Sequence, residues 1–588
     1  MGSFLDKTIE DFFYHNYSFE AMPIILGITG HRDIRKEDQI YLKRVVREFI
    51  DNLLKQYSSC PICLLSPLAE GADRLVAEVV LEIPNSSLIV PLPMPINEYE
   101  RDFQTDNSKA EFNRLLQEAD LVLTLPLLKD NSPKIIHCAG DERDRQYEQL
   151  GAYIVQHSQL LISLWDGISI DKIGGTSEIV RFGLEGVPQI YVNSESLLDT
   201  VRSEAVIHIY TPRATGDSKN EKLGEIWYIF PDNKRRIKYK KALNSHVLKR
   251  INQFNHDAIK FSRHKMRIMA DRSSSESNII LLFFVIADAM AKKFRIKSRR
   301  CLIGTILFGI IAIIFHQIYS IHGHLLEAFI RFFYLGAIII TICTYLVGKK
   351  KDWQGKHLDY RFLAEVLRIQ FYLKTSGIES SIADHFLNIY QRELDWIRYV
   401  IRYTDIKTSD SKKKSFGGKE LQFVLDEWVD DQFHFFAGDQ KKHSQGAAEF
   451  AENKNNFYSK AAVISLVIGL LIVIMMLFSH FIGYRGSEWN HLTFMMRLSS
   501  IILLTISGGL KSYATFMAFS EHARSYEKLG FIFGRGKKVL QNCLLSRSFD
   551  EGQKIVLELG KEALTENSEW IILHRARPIS LPRIIRMG

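Results

Sequence analysis

The sequence predicts two architectures in one chain: an N-terminal α/β domain with a doubly wound, mostly parallel sheet, and an all-α membrane domain. The first prediction rests on β-rich apolar runs that alternate with helical patterns over residues 23–200. The second rests on four later apolar stretches, which predict membrane-spanning helices and of which residues 461–481 are the clearest. Basic residues beside these stretches predict two transmembrane hairpins, with long cytosolic helices at their outer ends.

Changes in composition along the chain indicate where its parts begin and end. A stretch rich in Lys, Ser and Gly, typical of a flexible linker, separates the two pairs of apolar segments. The sequence therefore predicts a ligand-sensing domain at residues 1–212, a connector with basic amphipathic helices at 213–300, the first hairpin with cytosolic helices at 301–404, a linker at 405–420, and the second hairpin with a cytosolic helical tail at 421–588.

Charge and cysteine content narrow the class of protein. The net charge is +9, and much of the basic excess lies beside apolar runs, at residues 292–300 and 349–351. This placement is typical of membrane flanks, so we expect membrane lipids as partners and no nucleic acid. Six cysteines in 588 residues indicate no disulfide framework. The first 20 residues lack the apolar core of a signal peptide, so both chain termini are expected in the cytosol.

The apolar runs of the N-terminal part are short and β-rich, as buried parallel strands are. They predict strands at residues 24–28, 62–65, 87–92, 121–125, 160–165, 189–192 and 206–210. Helical patterns between them predict helices at residues 39–56, 71–81 and 110–119. In such a sheet, ligands bind outside the carboxyl ends of the strands.

A glycine turn follows the first predicted strand and precedes a charged helical segment. It contains Gly27, Thr29, Gly30, His31 and Arg32. A strand, a tight turn and a helix in this order point backbone N–H groups at an anion. We therefore expect this turn to bind a phosphate-bearing ligand, although a single Gly-x-x-Gly turn can also be turn geometry alone.

Other polar clusters follow the later strands, where the same site is expected. They comprise Glu70, Gly71, Asp73 and Arg74 after the second strand, Asp166 and Gly167 after the strand at 160–165, and Gly174, Gly175, Thr176 and Glu178 before the next helix. The glycines allow close backbone approach, and Thr176 can cap a helix or bind a phosphate oxygen. Asp166 or Glu178 could hold a ribose hydroxyl, whereas Glu70, Asp73 and Arg74 could simply form surface ion pairs. The lone Cys60 and Cys63 pair predicts no metal site, and no cofactor is expected.

The predicted membrane spans are residues 302–319, 332–347, 461–481 and 492–510. A further apolar run at 279–287 is too short for a straight span and could be a core helix or an interfacial one. Positive residues outside each pair place the outer ends in the cytosol, so we predict a multi-pass protein of the inner, cytoplasmic membrane.

The N-terminal segments together resemble the SLOG superfamily, the Rossmann-like group that includes LOG-type nucleotide hydrolases, DprA-like proteins and the N-terminal region of melastatin-type TRP channels. The matching segments are residues 27–32, 66–74, 91–103, 145–167 and 174–178. The resemblance implies that this domain binds a nucleotide or a nucleotide-derived signalling ligand.

One departure from that family concerns catalysis. LOG enzymes carry Gly-Gly-x-Gly-Thr-x-x-Glu, whereas here the third glycine is absent and Glu178 follows Thr176 by two residues instead of three. On a helix this moves the carboxylate by roughly 100°. The resemblance therefore favours ligand binding, and the alternative is a membrane-tethered nucleotide glycosidic-bond hydrolase that uses Glu178 with Arg32 or Arg74.

Segments at 360–368, 521–530, 566–570 and 575–578 resemble SLATT-type domains, the membrane effector modules found beside SLOG domains in bacterial conflict systems. This second resemblance implies a pore-forming or membrane-disrupting output. Taken together, the sequence predicts a homo-oligomeric membrane effector of an anti-phage or conflict system, gated by a small nucleotide-like ligand.

Overall fold

The computed structural model describes residues 20–129, 131–192, 203–214, 222–231, 235–239, 243–266, 279–319, 324–386, 394–408, 417–438, 445–482 and 487–577. The chain divides into two compact units. An α/β unit comprises Phe13–Leu282 and Glu379–Lys414, and a helical unit comprises Phe283–Ile378 and Ser415–Gly588.

The α/β unit is built on a mixed sheet of eight described strands. They are β1 (Ile24–Gly30), β2 (Ile62–Leu65), β3 (Ser87–Leu92), β4 (Leu121–Thr124), β5 (Leu160–Trp165), β6 (Ala205–Tyr210), β7 (Ile226–Phe230) and β8 (Arg235–Lys238). Their order is β4-β3-β2-β1-β5-β6-β7-β8, so strand order reverses between β1 and β5. The first six strands are parallel, and β7 and β8 are antiparallel additions.

Six of the predicted strands are confirmed to within two residues. Five of them have largely buried side chains, whereas those of the edge strand β4 are half-buried or exposed. Every residue of β5 and β6 is buried, for example. The strand predicted at 189–192 is wrong: Gln189–Tyr191 forms a 3-10 turn, in which Ile190 is 78% exposed. This β-prone run follows Pro188 and pairs with no described strand, so its side chains have no sheet to cover.

The helices of the α/β unit are α1 (Lys36–Gln56), α2 (Ala72–Leu81), α3 (Asp106–Gln117), α4 (Asp141–His157), α5 (Thr176–Glu185), α6 (His246–Met266) and α10 (Asp395–Thr408). A single helical turn, Ile96–Tyr99, follows β3 and continues into the 3-10 turn Glu100–Asp102. A second 3-10 turn, Ile382–His385, precedes α10. These elements leave the carboxyl ends of β1 and β5 facing loops, which is where the candidate site lies.

The helical unit contains α7 (Ile279–Tyr319, which begins in the α/β unit), α8 (His324–Lys350), α9 (Trp353–Thr375), α11 (Gly418–Val424), α12 (Asp431–Ala437), α13 (Ala447–Phe481), α14 (Ser487–Met517), α15 (Phe519–Ser546) and α16 (Phe549–Arg575). A π-helical segment, Leu425–Asp430, joins α11 to α12. Of the predicted linker, residues 405–408 belong to α10 and 418–420 to α11, and 409–416 lie outside the described residues.

Four stretches of the described chain are helical and apolar enough to cross a membrane: Ile279–His316, Phe329–Thr375, Ala447–Phe481 and Leu492–Ser546. Their apolar side chains are largely exposed, as with Phe332 at 72% and Phe481 at 91%. Such extensive apolar exposure is expected where lipid replaces water around a helix. The short run at 279–287 differs, because Ile280, Phe283 and Ala287 are fully buried at the start of α7.

Candidate ligand-binding site

A cavity of about 400 Å³ opens at the carboxyl ends of β1 and β5, where the strand order reverses. Loops on the two sides of such a reversal diverge, and the crevice between them is the usual ligand site of open α/β sheets. Of the predicted site residues, the cavity wall contains Thr29, Gly30, His31, Arg32, Asp73, Gly174, Gly175 and Thr176. The structure therefore brings residues from three separate predicted clusters to one wall.

The end of β1 is hydrogen-bonded to the start of α5 and packs closely against α2. The Thr176 hydroxyl donates to the Gly30 carbonyl oxygen at 2.9 Å. A Cβ atom at Gly30 would lie 2.4 Å from Cβ of Ala72 and 2.6 Å from the carbonyl oxygen of Leu164. Only glycine permits this close approach, so residue 30 sets the distance between the strand end and the two neighbouring elements.

His31 is held by the residue that follows β5. The backbone N–H of Asp166 donates to Nε2 of His31 at 3.0 Å, and Oδ1 of the Asp166 carboxylate lies 3.3 Å from the same nitrogen. Burial, followed by the charge of Arg213, lowers the pKa of His31 below its usual value. The imidazole is therefore neutral near pH 7. Asp166 itself accepts from the backbone N–H of Ile168 at 2.9 Å and from Nε of Arg213 at 3.3 Å.

Two cations in the cavity wall have side chains with no hydrogen bond or ion pair to any residue that the structure describes. They are Arg32, just after β1, and Lys172, just before Gly174. The Arg32 guanidinium lies 5.6 Å from the centroid of the Tyr147 ring, a cation–π distance. Both side chains are exposed, so their charges are available to a ligand.

Asp73 lies at the start of α2 and is buried. Its Oδ2 accepts from the backbone N–H of Ala69 at 3.3 Å. Burial raises the pKa of this carboxyl to about 7, although Arg32 and Arg74 oppose the rise. A carboxyl that is protonated part of the time can both donate and accept hydrogen bonds inside the cavity.

Arg143 and the 3-10 turn Glu100–Asp102 form a second polar part of the cavity wall. Its Nη2 donates to the Glu98 carbonyl oxygen at 2.8 Å and pairs with Oδ1 of Asp102 at 2.9 Å. The Tyr147 hydroxyl donates to the other oxygen of Asp102. Sequence reasoning missed Arg143, Lys172 and Arg213 as cavity residues. Lys172 alone had a signal, because it stands two residues before the predicted glycine turn.

The remaining predicted residues surround the cavity without being among its lining residues. They are Gly27, Glu70, Gly71, Arg74, Asp166, Gly167 and Glu178. Gly27 packs against α4, since a Cβ there would lie 2.7 Å from Cγ2 of Ile154. Gly71, with φ +80°, brings α2 against the carbonyl oxygens of His31 and Arg32. These glycines therefore shape the site through backbone packing.

The charged members of this outer set are engaged with the protein. Arg74 is buried, donates to the Leu68 carbonyl oxygen at 3.0 Å, and pairs with Glu111 at 2.7 Å. Glu70 accepts from the Ser108 hydroxyl. Glu178 Oε2 accepts from the backbone N–H of Gly174 at 2.7 Å, and its Oε1 pairs with Arg181 at 2.8 Å. Both oxygens of Glu178 are thus occupied in shaping the loop before α5.

Within the described part of the chain, no group of three or more His, Cys, Asp or Glu side chains is placed to hold a metal ion. Cys60 and Cys63 are both buried. Burial raises the pKa of Cys60 to about 12 and that of Cys63 to about 11. Both thiols are therefore protonated and inert at neutral pH.

No protein-family model, no curated protein and no solved structure matches the chain. The structure itself defines an α/β unit with a polar cavity at the reversal of its strand order, in a chain that also carries four stretches of membrane-spanning length.

Proposed function

We propose that this protein is a membrane effector gated by a nucleotide-derived small molecule. The α/β unit binds the signal in the cavity between β1 and β5. The four apolar helical stretches, arranged as two hairpins in the inner membrane with cytosolic termini, respond by opening a pore or disrupting the bilayer. One observation carries the proposal. Two cations, Arg32 and Lys172, line the cavity at the strand-order reversal, and their side chains form no hydrogen bond or ion pair with the described residues.

The chemistry of this cavity suits a phosphate-bearing ligand. Arg32 and Lys172 supply two positive charges, and their side chains form no hydrogen bond or ion pair with the described residues. Thr176 and Ser177 begin α5, and the first N–H groups of a helix have no partner within it. A phosphate bound there would gain from those N–H groups, from the helix dipole and from both side chains. The neighbouring Asp73 and Tyr147 would then face the uncharged part of the ligand.

The membrane response is proposed from the exposed apolar helices. Four spans in one subunit are too few to enclose a wide pore, so we propose that several copies assemble. Gating also sets an energetic requirement, since a ligand changes an equilibrium only through its different affinities for the two states. Moving a resting population from 1:99 to 99:1 requires roughly 5.5 kcal/mol of such difference.

The hydrolase alternative is less well supported. A glycosidic-bond hydrolase would need the Glu178 carboxylate at the ribose. That carboxylate is bonded to Gly174 N–H and to Arg181, and it is not among the cavity-lining residues. A carboxylate so engaged is poorly placed to stabilise or protonate a ligand, so we favour a site that binds its ligand and releases it intact.

Binding is tested on the full-length protein in detergent, with a panel of nucleotides and nucleotide-derived second messengers and isothermal titration calorimetry as the readout. The double variant Arg32→Gln/Lys172→Gln should weaken binding of the best ligand roughly tenfold to a hundredfold, since hydrogen bonds to charged groups are lost. Arg145→Gln/Lys129→Gln is the matched control, because it removes two exposed charges of the same unit outside the cavity. If no ligand of the panel binds, or if both double variants weaken binding equally, the proposal fails.

A further inference from the structure

A second, larger cavity lies within the helical unit, with a volume of about 1050 Å³. It is bordered by the residues that precede the apolar part of α7, by the start of α9, by the start of α13 and by the end of α14. These are the ends of the candidate spans that carry the basic flanks, where lipid headgroups meet a membrane protein. The cavity is therefore at headgroup depth if these helices cross a bilayer.

One wall of this cavity is basic. Arg295, Ser298, Arg299 and Leu302 all line it, and their spacing places them on a single face of α7. Arg295 and Arg299 are exposed, and within the described ranges neither side chain has a hydrogen bond or ion pair. Asp431 is the single carboxylate among the described lining residues. The wall thus presents positive charge that no described carboxylate neutralises.

A third arginine, Arg361, also lines the cavity. Tyr526 hydrogen-bonds to its side chain, and Glu365 and Glu566 act on its charge. The guanidinium of Arg361 is 4.2 Å from the centroid of the Trp570 ring. Its Nε atom is buried and has no hydrogen-bond partner among the residues that the structure describes. A buried donor without an acceptor is costly, and an anionic oxygen entering the cavity would remove that cost.

Another part of the cavity lining is apolar. It includes Phe450, which is 51% exposed, together with Ala447, Phe516, Met517 and Phe519. These residues belong to the beginning of α13, the end of α14 and the beginning of α15. A ligand that satisfies both walls must therefore carry a negative headgroup and an apolar chain.

We propose that this cavity binds the headgroup and upper acyl chain of an anionic phospholipid. Arg295 and Arg299 contact the phosphate of the headgroup, and Arg361 donates a hydrogen bond to it. The apolar part of the lining covers the upper acyl chain of the lipid. Basic pockets at the cytosolic ends of transmembrane helices bind anionic headgroups on this principle. The inference rests on the membrane placement of the helices and not on the identity of the nucleotide signal.

Native mass spectrometry of delipidated full-length protein tests this site, with phosphatidylglycerol, phosphatidylcholine and inorganic phosphate as the three probes. We expect retention of phosphatidylglycerol over phosphatidylcholine. Arg295→Gln/Arg299→Gln should weaken phosphatidylglycerol binding roughly thirtyfold, as expected for two cations at a membrane surface. Ala451→Trp, which places a large ring in the cavity, should also reduce it.

The matched control is Arg300→Gln/Lys350→Gln, which removes two charges from the same flanks at residues that do not line the cavity. It should keep wild-type lipid binding. Equal retention of the two lipids, or equal losses in both double variants, would overturn the proposal. So would displacement of phosphatidylglycerol by millimolar inorganic phosphate, which would indicate a site for free anions. Nucleotide binding is measured on the same samples. Loss of lipid selectivity with nucleotide binding intact would overturn the lipid site alone and leave the gating proposal standing.

Discussion

The backbone N–H of Asp166 donates to Nε2 of His31 at 3.0 Å, which joins the carboxyl ends of β5 and β1. The two strands are neighbours in the sheet, and the strand order reverses between them. His31 therefore belongs both to the framework of the candidate site and to its lining. Removing the imidazole would leave a buried N–H without an acceptor and would loosen the cavity wall.

We predict that His31→Ala lowers the stability of the ligand-free α/β unit by about 1–3 kcal/mol, the cost of an unsatisfied buried donor. Urea unfolding of the full-length protein, followed by the combined fluorescence of its seven tryptophans, measures the change. His256→Ala is the control, because His256 is exposed on α6. Equal stability of His31→Ala and wild type would show that this hydrogen bond does not hold the strand ends together.

Asp73 makes the stability of the α/β unit depend on pH, and the direction of this dependence follows from its raised pKa. Burial raises its pKa from 3.8 to about 7, so the folded state binds a proton that the unfolded state has released. Its unfavourable contribution to stability therefore grows as pH rises from about 4 to about 7 and is complete above that range.

We expect Asp73→Asn to raise the melting temperature more at pH 8 than at pH 5. His31 has the opposite effect, because its lowered pKa makes the protein less stable as pH falls below about 6.5. Wild type and variant both contain His31, so comparing their melting temperatures at the same pH removes its contribution. Thermal unfolding in buffers of constant ionic strength provides the measurement. A larger gain at pH 5 would contradict a raised pKa for Asp73.

Glu178→Gln distinguishes ligand binding from hydrolysis. The substitution keeps an oxygen that can accept from Gly174 N–H but removes the charge that pairs with Arg181. We expect wild type and variant to return the bound nucleotide intact, without release of free base, as followed by liquid chromatography. Base release by wild type that disappears in Glu178→Gln would instead support the hydrolase.

The native cysteines report the membrane topology. Cys138 is exposed in the α/β unit, and Cys343 is exposed on α8 within a candidate span. A membrane-impermeant maleimide should label Cys138 in inside-out vesicles and in permeabilised cells but not in intact cells, while Cys343 should stay unlabelled in all three because lipid covers it. Cys138→Ser should abolish the signal. Labelling of Cys138 in intact cells would place the α/β unit outside the cytosol.

Most of the strands and the long apolar helices were predictable because their signals are local. β2, β3 and β5 match their predicted bounds, since continuous apolar runs bounded by turn residues have few alternatives. Neither β7 nor β8 was predicted. β7, Ile226–Phe230, is apolar and was overlooked in the predicted connector, whereas β8, Arg235–Lys238, is mostly basic and pairs only at the sheet edge. Edge strands are commonly charged, and this hides them from a hydrophobicity pattern.

The candidate site was predicted less completely because side-chain direction is not local. Arg74 and Glu178 belong to the predicted polar clusters, yet their partners are Glu111 and Arg181, and only the folded chain determines these pairings. Conversely, Arg213 reaches the cavity from the loop after β6. No spacing along the chain relates residue 213 to residue 31.

Ligand-gated ion flux through liposomes tests the central claim most directly. Purified full-length protein is reconstituted, and release of an entrapped dye and of ions is recorded while the nucleotide identified by calorimetry is titrated. We predict release that saturates with ligand binding, shifts to higher ligand concentration in Arg32→Gln/Lys172→Gln, and is unchanged in Arg145→Gln/Lys129→Gln. Saturating ligand that releases neither dye nor ions from wild-type liposomes would contradict the account.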